Sequence, residues 1–182
     1  MYFIDSAGWL TPAAKHPSPN FNSRPPSAEI SLLVIHNISL PAGQFGGSYV
    51  HDLFTNCLDC DAHESFADLR GLTVSSHLLI NREGVPSQFV SLADRAWHAG
   101  VSSFEGRENC NDFSIGIELE GCDEIAYTHA QYQTLIAISQ TLRRAYPAIT
   151  PARIVGHNDI APGRKTDPGA AFDWTYFKNA LD

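Results

Sequence analysis

The run Ile30-Ser31-Leu32-Leu33-Val34-Ile35 is apolar on both faces of an extended chain. Successive side chains of a strand point to opposite sides. Such a run therefore needs cover on both sides and belongs in the centre of a sheet. The stretch Phe113-Ser114-Ile115-Gly116-Ile117-Glu118-Leu119-Glu120 alternates instead, sending Phe113, Ile115, Ile117 and Leu119 to a core and Ser114, Gly116, Glu118 and Glu120 to the other face. Val74 to Ile80 and Val85 to Leu92 flank Asn81-Arg82-Glu83-Gly84 and predict a hairpin.

Helical segments fall between these strands. Ser48, after the Gly-rich loop from Pro41 to Gly47, is the expected N-cap of a short helix to about Cys57. Residues 56–71 carry many acids and read as a surface loop or short helix. Thr128 and Gln131 form a capping box, and Tyr132, Leu135, Ile136, Leu142 and Tyr146 recur at helical spacing until Pro147. Arg153 to His157 predicts a short strand. Asp173 predicts the cap of a last helix that turns Trp174, Phe177 and Leu181 inward. Strands interleaved with helices, plus one hairpin, predict a single α/β domain with a mixed central β-sheet flanked by helices. Residues 1–29, rich in Pro, Asn and Ser, are expected to be an irregular N-terminal arm, leaving 30–182 as the catalytic domain.

A chain of 182 residues with 43% hydrophobic content suits one domain with a sizeable core. A net charge of −8 argues against nucleic acid as a partner, because phosphates demand a basic surface. The longest apolar run is far too short for a membrane span. Met1-Tyr2-Phe3-Ile4-Asp5-Ser6 lacks the basic and long apolar regions of a signal peptide, so a cytoplasmic protein is expected. Cys57 and Cys60 form C-x-x-C with His63 close behind, a spacing that suggests a zinc knuckle or redox pair. No second pair follows, so reduced, partly buried thiols are the expectation.

His36 and His157 each follow a short apolar run and are expected at the carboxyl ends of strands, where open α/β sheets bind ligands. Either alone reads better as a satisfied strand-end histidine. The segment after His157 shifts that balance. Pro162 and Pro168 bar a regular helix, and extended backbone would put Lys165 and Asp167 on one face, with Arg164 and Thr166 pointing away. Two imidazoles and a carboxylate form a usual ligand set for one catalytic Zn²⁺ with an open position for water. Lys165 adds a fixed positive charge suited to an oxyanion. Glu118 is the candidate general base, although Glu120 fits the same periodicity. His77 and His98 are candidates for groups behind the ligands. Trp97 offers either a stacking surface or core. Three patterns fail: His63-Glu64-Ser65-Phe66-Ala67 lacks the second histidine of a zinc helix, Gly156 is misplaced for a phosphate loop ending at Gly163-Arg164-Lys165-Thr166, and no G-x-S-x-G elbow occurs. The reading is a zinc hydrolase acting on an amide.

Several segments together resemble the AmpD group of the zinc-dependent N-acetylmuramoyl-L-alanine amidases, whose fold is shared with phage amidase lysozymes and peptidoglycan recognition proteins. They are Pro17 to Pro25, Leu33 to Pro41, Phe45-Gly46-Gly47, Arg95 to Ser102, Cys110 to Gly121 and Lys165 to Gly169. The resemblance implies a cytoplasmic enzyme of peptidoglycan recycling. It implies cleavage between the lactyl group of 1,6-anhydro-N-acetylmuramic acid and L-alanine in anhydro-muropeptides, with no membrane, nucleic-acid or obligate protein partner. By position it implies His36, His157 and Asp167 as zinc ligands, Glu118 as the proton carrier and Lys165 as the oxyanion stabiliser. Asn37, Trp97 and Arg107 are implied as substrate contacts. The chain departs at Thr73 and Asn109, where basic residues are expected, and in its Cys57–Cys60 pair.

Overall fold

The first 29 residues are not irregular. In the computed structural model, which describes residues 1–181, they form β1 (Phe3–Ile4), β2 (Leu10–Thr11), β3 (Ala14–Lys15) and β4 (Phe21–Ser23). Strands of two or three residues carry no readable periodicity; β1 and β2 pair with each other, and the partners of β3 and β4, β7 and β8, lie far along the chain. Leu10 is fully buried, and its backbone N–H donates to Gln88 Oε1 at 2.6 Å. Arg24 reaches inward and donates to the carbonyls of Leu92, Asn111, Asp112 and Ser114.

The doubly apolar run becomes β5 (Leu32–Ile38). Helix α1 (Tyr49–Phe54) follows Ser48, whose hydroxyl bonds Asp52 rather than a backbone N–H. The helix ends before Cys57, and Asn56 takes a left-handed φ of 60°. The acidic stretch holds a short 3-10 helix, Glu64–Leu69. The hairpin is shorter than its apolar runs, with β6 (Leu78–Ile80) and β7 (Pro86–Gln88) joined through Gly84 at φ +79°. Then come β8 (Asp94–Ala96), β9 (Ser103–Phe104), β10 (Arg107–Glu108) and β11 (Ser114–Glu120). Helix α2 (His129–Ala145) opens with the expected capping box at Thr128 and Gln131. The chain closes with β12 (Ile154–Gly156), the one-turn α3 (His157–Ile160) and α4 (Trp174–Asn179), the last capped by Asp173.

Six strands make the central mixed sheet in the order β12-β5-β11-β6-β7-β3. The first four are mutually parallel, β7 is antiparallel to β6, and β3 runs parallel to β7. β5 thus lies between β12 and β11, an interior place that suits its two apolar faces. Leu33, Ile35, Ile115, Ile117 and Leu119 pack on one face against Leu135, Ile138 and Leu142 of α2 and Phe177 of α4. The other face is covered as well, by Ala99, Cys110, Phe113 and Ile160 against Leu32 and Val34, and by α1 residues against Leu79. The polar side of β11 is therefore buried too, which period-two alternation cannot reveal.

Candidate active site

Register builds the first half of the site. In the parallel pair β5–β11, Glu118 is the partner of His36, so the two side chains stand side by side on the second face. His36 lies two residues inside the end of its strand rather than at the end. His157 lies beyond β12, as the first residue of α3. The short strand expected at Arg153 to His157 is trimmed at both ends.

Asp167 returns to these histidines through a loop. His36 Nδ1 and His157 Nδ1 are 3.0 Å apart, and each lies 3.1 Å from Asp167 Oδ2. Two imidazole nitrogens and a carboxylate oxygen at these distances can share one positive centre. Tetrahedral bonds of ~2.0–2.1 Å place ligand atoms roughly 3.3 Å apart, so this donor set fits a zinc-sized ion. The imidazoles are 1% and 4% exposed. Burial pushes the His36 pKa down to about 4, with the Asp167 hydrogen bond opposing, so the ring is neutral and able to ligate. Burial would raise the Asp167 carboxyl, but the adjacent His157 and His36 rings outweigh it and hold the carboxyl well below its usual range.

The loop bearing Asp167 is anchored along its length. Asn158 N donates to Asp167 O at 3.0 Å and Tyr127 Oη donates to Pro168 O at 2.7 Å. Its path is a turn, not an extended stretch. Arg164 N and Lys165 N both donate to Ala161 O, with Gly163 at φ +76°. The expected split of Lys165 and Asp167 from Arg164 and Thr166 fails accordingly. All four border a cleft of about 630 Å³ that Asn37 and Asp123 also line. Lys165 is exposed at its rim. Arg164 instead donates to Ala99 O and Val101 O at 2.7 and 2.6 Å.

Hydrogen-bond accounting separates the two glutamates that periodicity left tied. Glu120 accepts from Gly46 N at 2.6 Å and from Arg82 N at 3.0 Å, one bond on each oxygen. Glu118 places Oε1 4.0 Å from His36 Nδ1, and its buried Oε2 has no protein partner. Burial, reinforced by the Asp167 charge, raises the Glu118 carboxyl well above its ordinary value. That combination suits a group that takes and returns a proton. Glu120 is a structural carboxylate within β11.

The remaining candidates divide. His98 touches His36, Nδ1 to Nε2 at 2.9 Å. His77 touches neither ligand; its Nδ1 accepts from Gly116 N and its Nε2 faces Asp94 O. Asn37 lines the cleft with its amide donating to Asp123 Oδ1 at 2.9 Å. Trp97 is half-buried, with Nε1 donating to Asn22 Oδ1 at 2.8 Å. The Arg107 guanidinium stacks 3.9 Å over the Phe113 ring, away from the residues lining the cleft. Thr73 is exposed. Asn109 sits at φ 57°, a left-handed conformation that Asn tolerates better than a basic residue would. Asn111, Ser114 and Arg164 contact the histidines or the backbone that holds them; all three lie in segments read from the sequence, but nothing there assigned them these contacts.

Cys57 and Cys60 join no metal-binding cluster among the described residues, where only His36, His157 and Asp167 gather. All four cysteines are free thiols. A Cys57→Ser, Cys60→Ser variant is expected to keep its metal content and activity. Loss of a second equivalent of zinc on making it would show a structural site.

Comparison with known proteins points the same way. The family described as N-acetylmuramoyl-L-alanine amidase matches residues 26–170. The 1,6-anhydro-N-acetylmuramyl-L-alanine amidase AmpD of Salmonella typhimurium is 57% identical over 175 residues, spanning 96% of this chain and 93% of that protein. The crystal structure of a selenomethionine derivative of AmpD has a TM-score of 0.95 at 53% identity and covers 99% of each chain. The E. coli amidase AmiD, in complex with the substrate anhydro-N-acetylmuramic acid-L-Ala-D-gamma-Glu-L-Lys, has a TM-score of 0.60 at 28% identity, covering 97% of this chain and 65% of that one.

Proposed function

The chain belongs to the N-acetylmuramoyl-L-alanine amidase family, and from that premise we propose that it is a zinc enzyme acting on anhydro-muropeptides. One zinc ion is held by His36, His157 and Asp167, and the bond cleaved joins the lactyl group of 1,6-anhydro-N-acetylmuramic acid to L-alanine. The observation that carries this reading is the mutual approach of two buried Nδ1 atoms and one carboxylate oxygen within 3.1 Å. Residues 30–182 supply the catalytic groups, on a sheet that residues 1–29 complete. The setting is cytoplasmic turnover of wall fragments, a reading supported by the likeness to the AmpD amidases. No helix among the described residues is long and apolar enough to cross a membrane. Neither nucleic acid nor an obligate protein partner enters the reaction.

The zinc ion, when bound, supplies Lewis-acid polarisation of the amide carbonyl and makes water acidic enough to attack near neutral pH. Glu118 accepts the proton that water loses as its oxygen bonds to the carbonyl carbon. The buried, partnerless Oε2 leaves the carboxylate free to do so. Glu118 then passes the proton to the alanine nitrogen as the C–N bond breaks, releasing a free lactyl carboxylate and a peptide with a new amine. Lys165 at the cleft rim opposes the negative charge growing on the carbonyl oxygen. Asn37 presents its amide from the cleft wall to the substrate. Trp97, directly before His98, contacts the substrate's outer parts, whereas Arg107, stacked on Phe113 away from the cleft-lining residues, is given no contact.

Purified protein is expected to contain about one zinc per chain and to release peptide from anhydro-muropeptides, followed by mass spectrometry. Anhydro-muropeptides are expected to be much better substrates than intact sacculi. Comparable rates on cross-linked wall would overturn the assignment to fragment turnover.

A further inference from the structure

Both imidazoles of the triad are oriented from behind by a single two-residue segment. The Ala99 carbonyl lies 3.0 Å from His157 Nε2. A carbonyl can only accept, so His157 carries its proton on Nε2 and turns the Nδ1 lone pair toward the triad. With His36 Nδ1 also a ligand atom, His36 Nε2 carries the proton and donates to His98 Nδ1 at 2.9 Å. His98 is then protonated on Nε2, which donates to Ser114 Oγ at 3.1 Å. Its ring lies flat on β11 because residue 116 is glycine; a Cβ there would sit 2.5 Å from His98 Cγ.

One side chain fixes this segment. Asn111 Oδ1 accepts from His98 N at 3.1 Å and from Ala99 N at 2.8 Å. Asn111 is 7% exposed, and its own carbonyl is held by Arg24. Resting on the reading of the triad as a zinc site, we infer that Asn111 is a positioning residue for the metal: by gripping two consecutive backbone amides it sets the orientation and tautomer of both histidine ligands. Asn111 belongs neither to the triad nor to the residues lining the cleft. Its effect reaches one ligand through the His98 ring and the other through the Ala99 carbonyl. Outer partners of ligating histidines typically change metal affinity ~10–100-fold when removed.

The test is zinc affinity of the full chain by chelator competition, with thermal unfolding of the metal-free protein measured alongside. Asn111→Ala is expected to weaken zinc binding ~10–100-fold. Asn111→Asp keeps an acceptor oxygen for both amides and is expected to restore affinity close to that of the unsubstituted protein, whatever it does to the unfolding temperature. A merely structural role would move the unfolding temperature without this pattern. If Asn111→Ala does not fold, Asn111→Ser, too short to reach both amides, is expected to show the same weakening. Undiminished affinity in the folded Ala or Ser variant, or an Asp variant as weak as the Ala variant, would overturn the inference while leaving the zinc site standing. Absence of zinc binding by the unsubstituted protein would overturn the zinc reading itself, and the inference with it.

Discussion

His36→Ala, His157→Ala and Asp167→Ala are each expected to strip the protein of its zinc and of measurable amidase activity. A catalytic zinc site draws three ligands from the protein, and removing any one leaves two donors for an ion that must also bind water. Lewis-acid stabilisation of the transition state is worth several kcal/mol, and each ~1.4 kcal/mol is a factor of ten, so a loss of ~10³ or more is expected. Metal content by emission spectroscopy, on the same samples assayed for peptide release, checks both halves of the expectation. Full zinc content in a His36→Ala, His157→Ala double variant would show that the ion sits elsewhere. A chelator should reproduce the loss in the unsubstituted protein, and added zinc should reverse it.

Glu118→Gln and Lys165→Ala are expected to separate chemistry from metal binding. Neither residue belongs to the triad, so both variants should fold and keep zinc. A positioned general base typically contributes ~10²–10⁴ in rate, and loss of one oxyanion stabiliser costs ~10²–10³ in kcat. Both should act mainly on kcat, with KM changing much less, because the interactions are strongest in the transition state. Glu120→Gln is the control. Its two oxygens each accept a backbone N–H, and an amide must turn its own N–H groups toward one of those donors. The expected outcome is a destabilisation of ~1–3 kcal/mol with little loss of kcat. A Glu120→Gln variant as slow as Glu118→Gln, or a Lys165→Ala variant altered chiefly in KM, would overturn these roles.

What could be read in the sequence follows the range of the signal. Thr128 and Gln131 announce α2 because a capping box is local, and Leu32 to Ile35 announce an interior strand because double-sided apolarity has one solution. His36, His157 and Asp167 were legible as a ligand set by residue type, although their convergence depends on β12 docking beside β5. β1 to β4 were invisible because strands of two or three residues carry no period, and β3 and β4 also depend on distant partners. The choice between Glu118 and Glu120 was hidden for a related reason: Gly46 and Arg82, which satisfy Glu120, lie 74 and 38 residues away. The extended course expected from Pro162 to Pro168 failed because Gly163 at φ +76° lets the chain turn back on Ala161. Asn111 fell within the resembling Cys110–Gly121 segment without a role of its own, since the two backbone amides it holds are brought to it only by the folded chain.

The shared register of β5 and β11 makes length, and not only composition, a condition of activity. A residue inserted or deleted within Leu32–Ile38 or Ser114–Glu120 would move every later side chain of that strand to the opposite face. Glu118 would then enter the apolar layer beside Leu135 while Ile117 or Leu119 met His36. The connection around the exposed Leu72 faces no such rule. Length is therefore free to change in that loop, while the two strands that carry His36 and Glu118 tolerate substitution but not insertion.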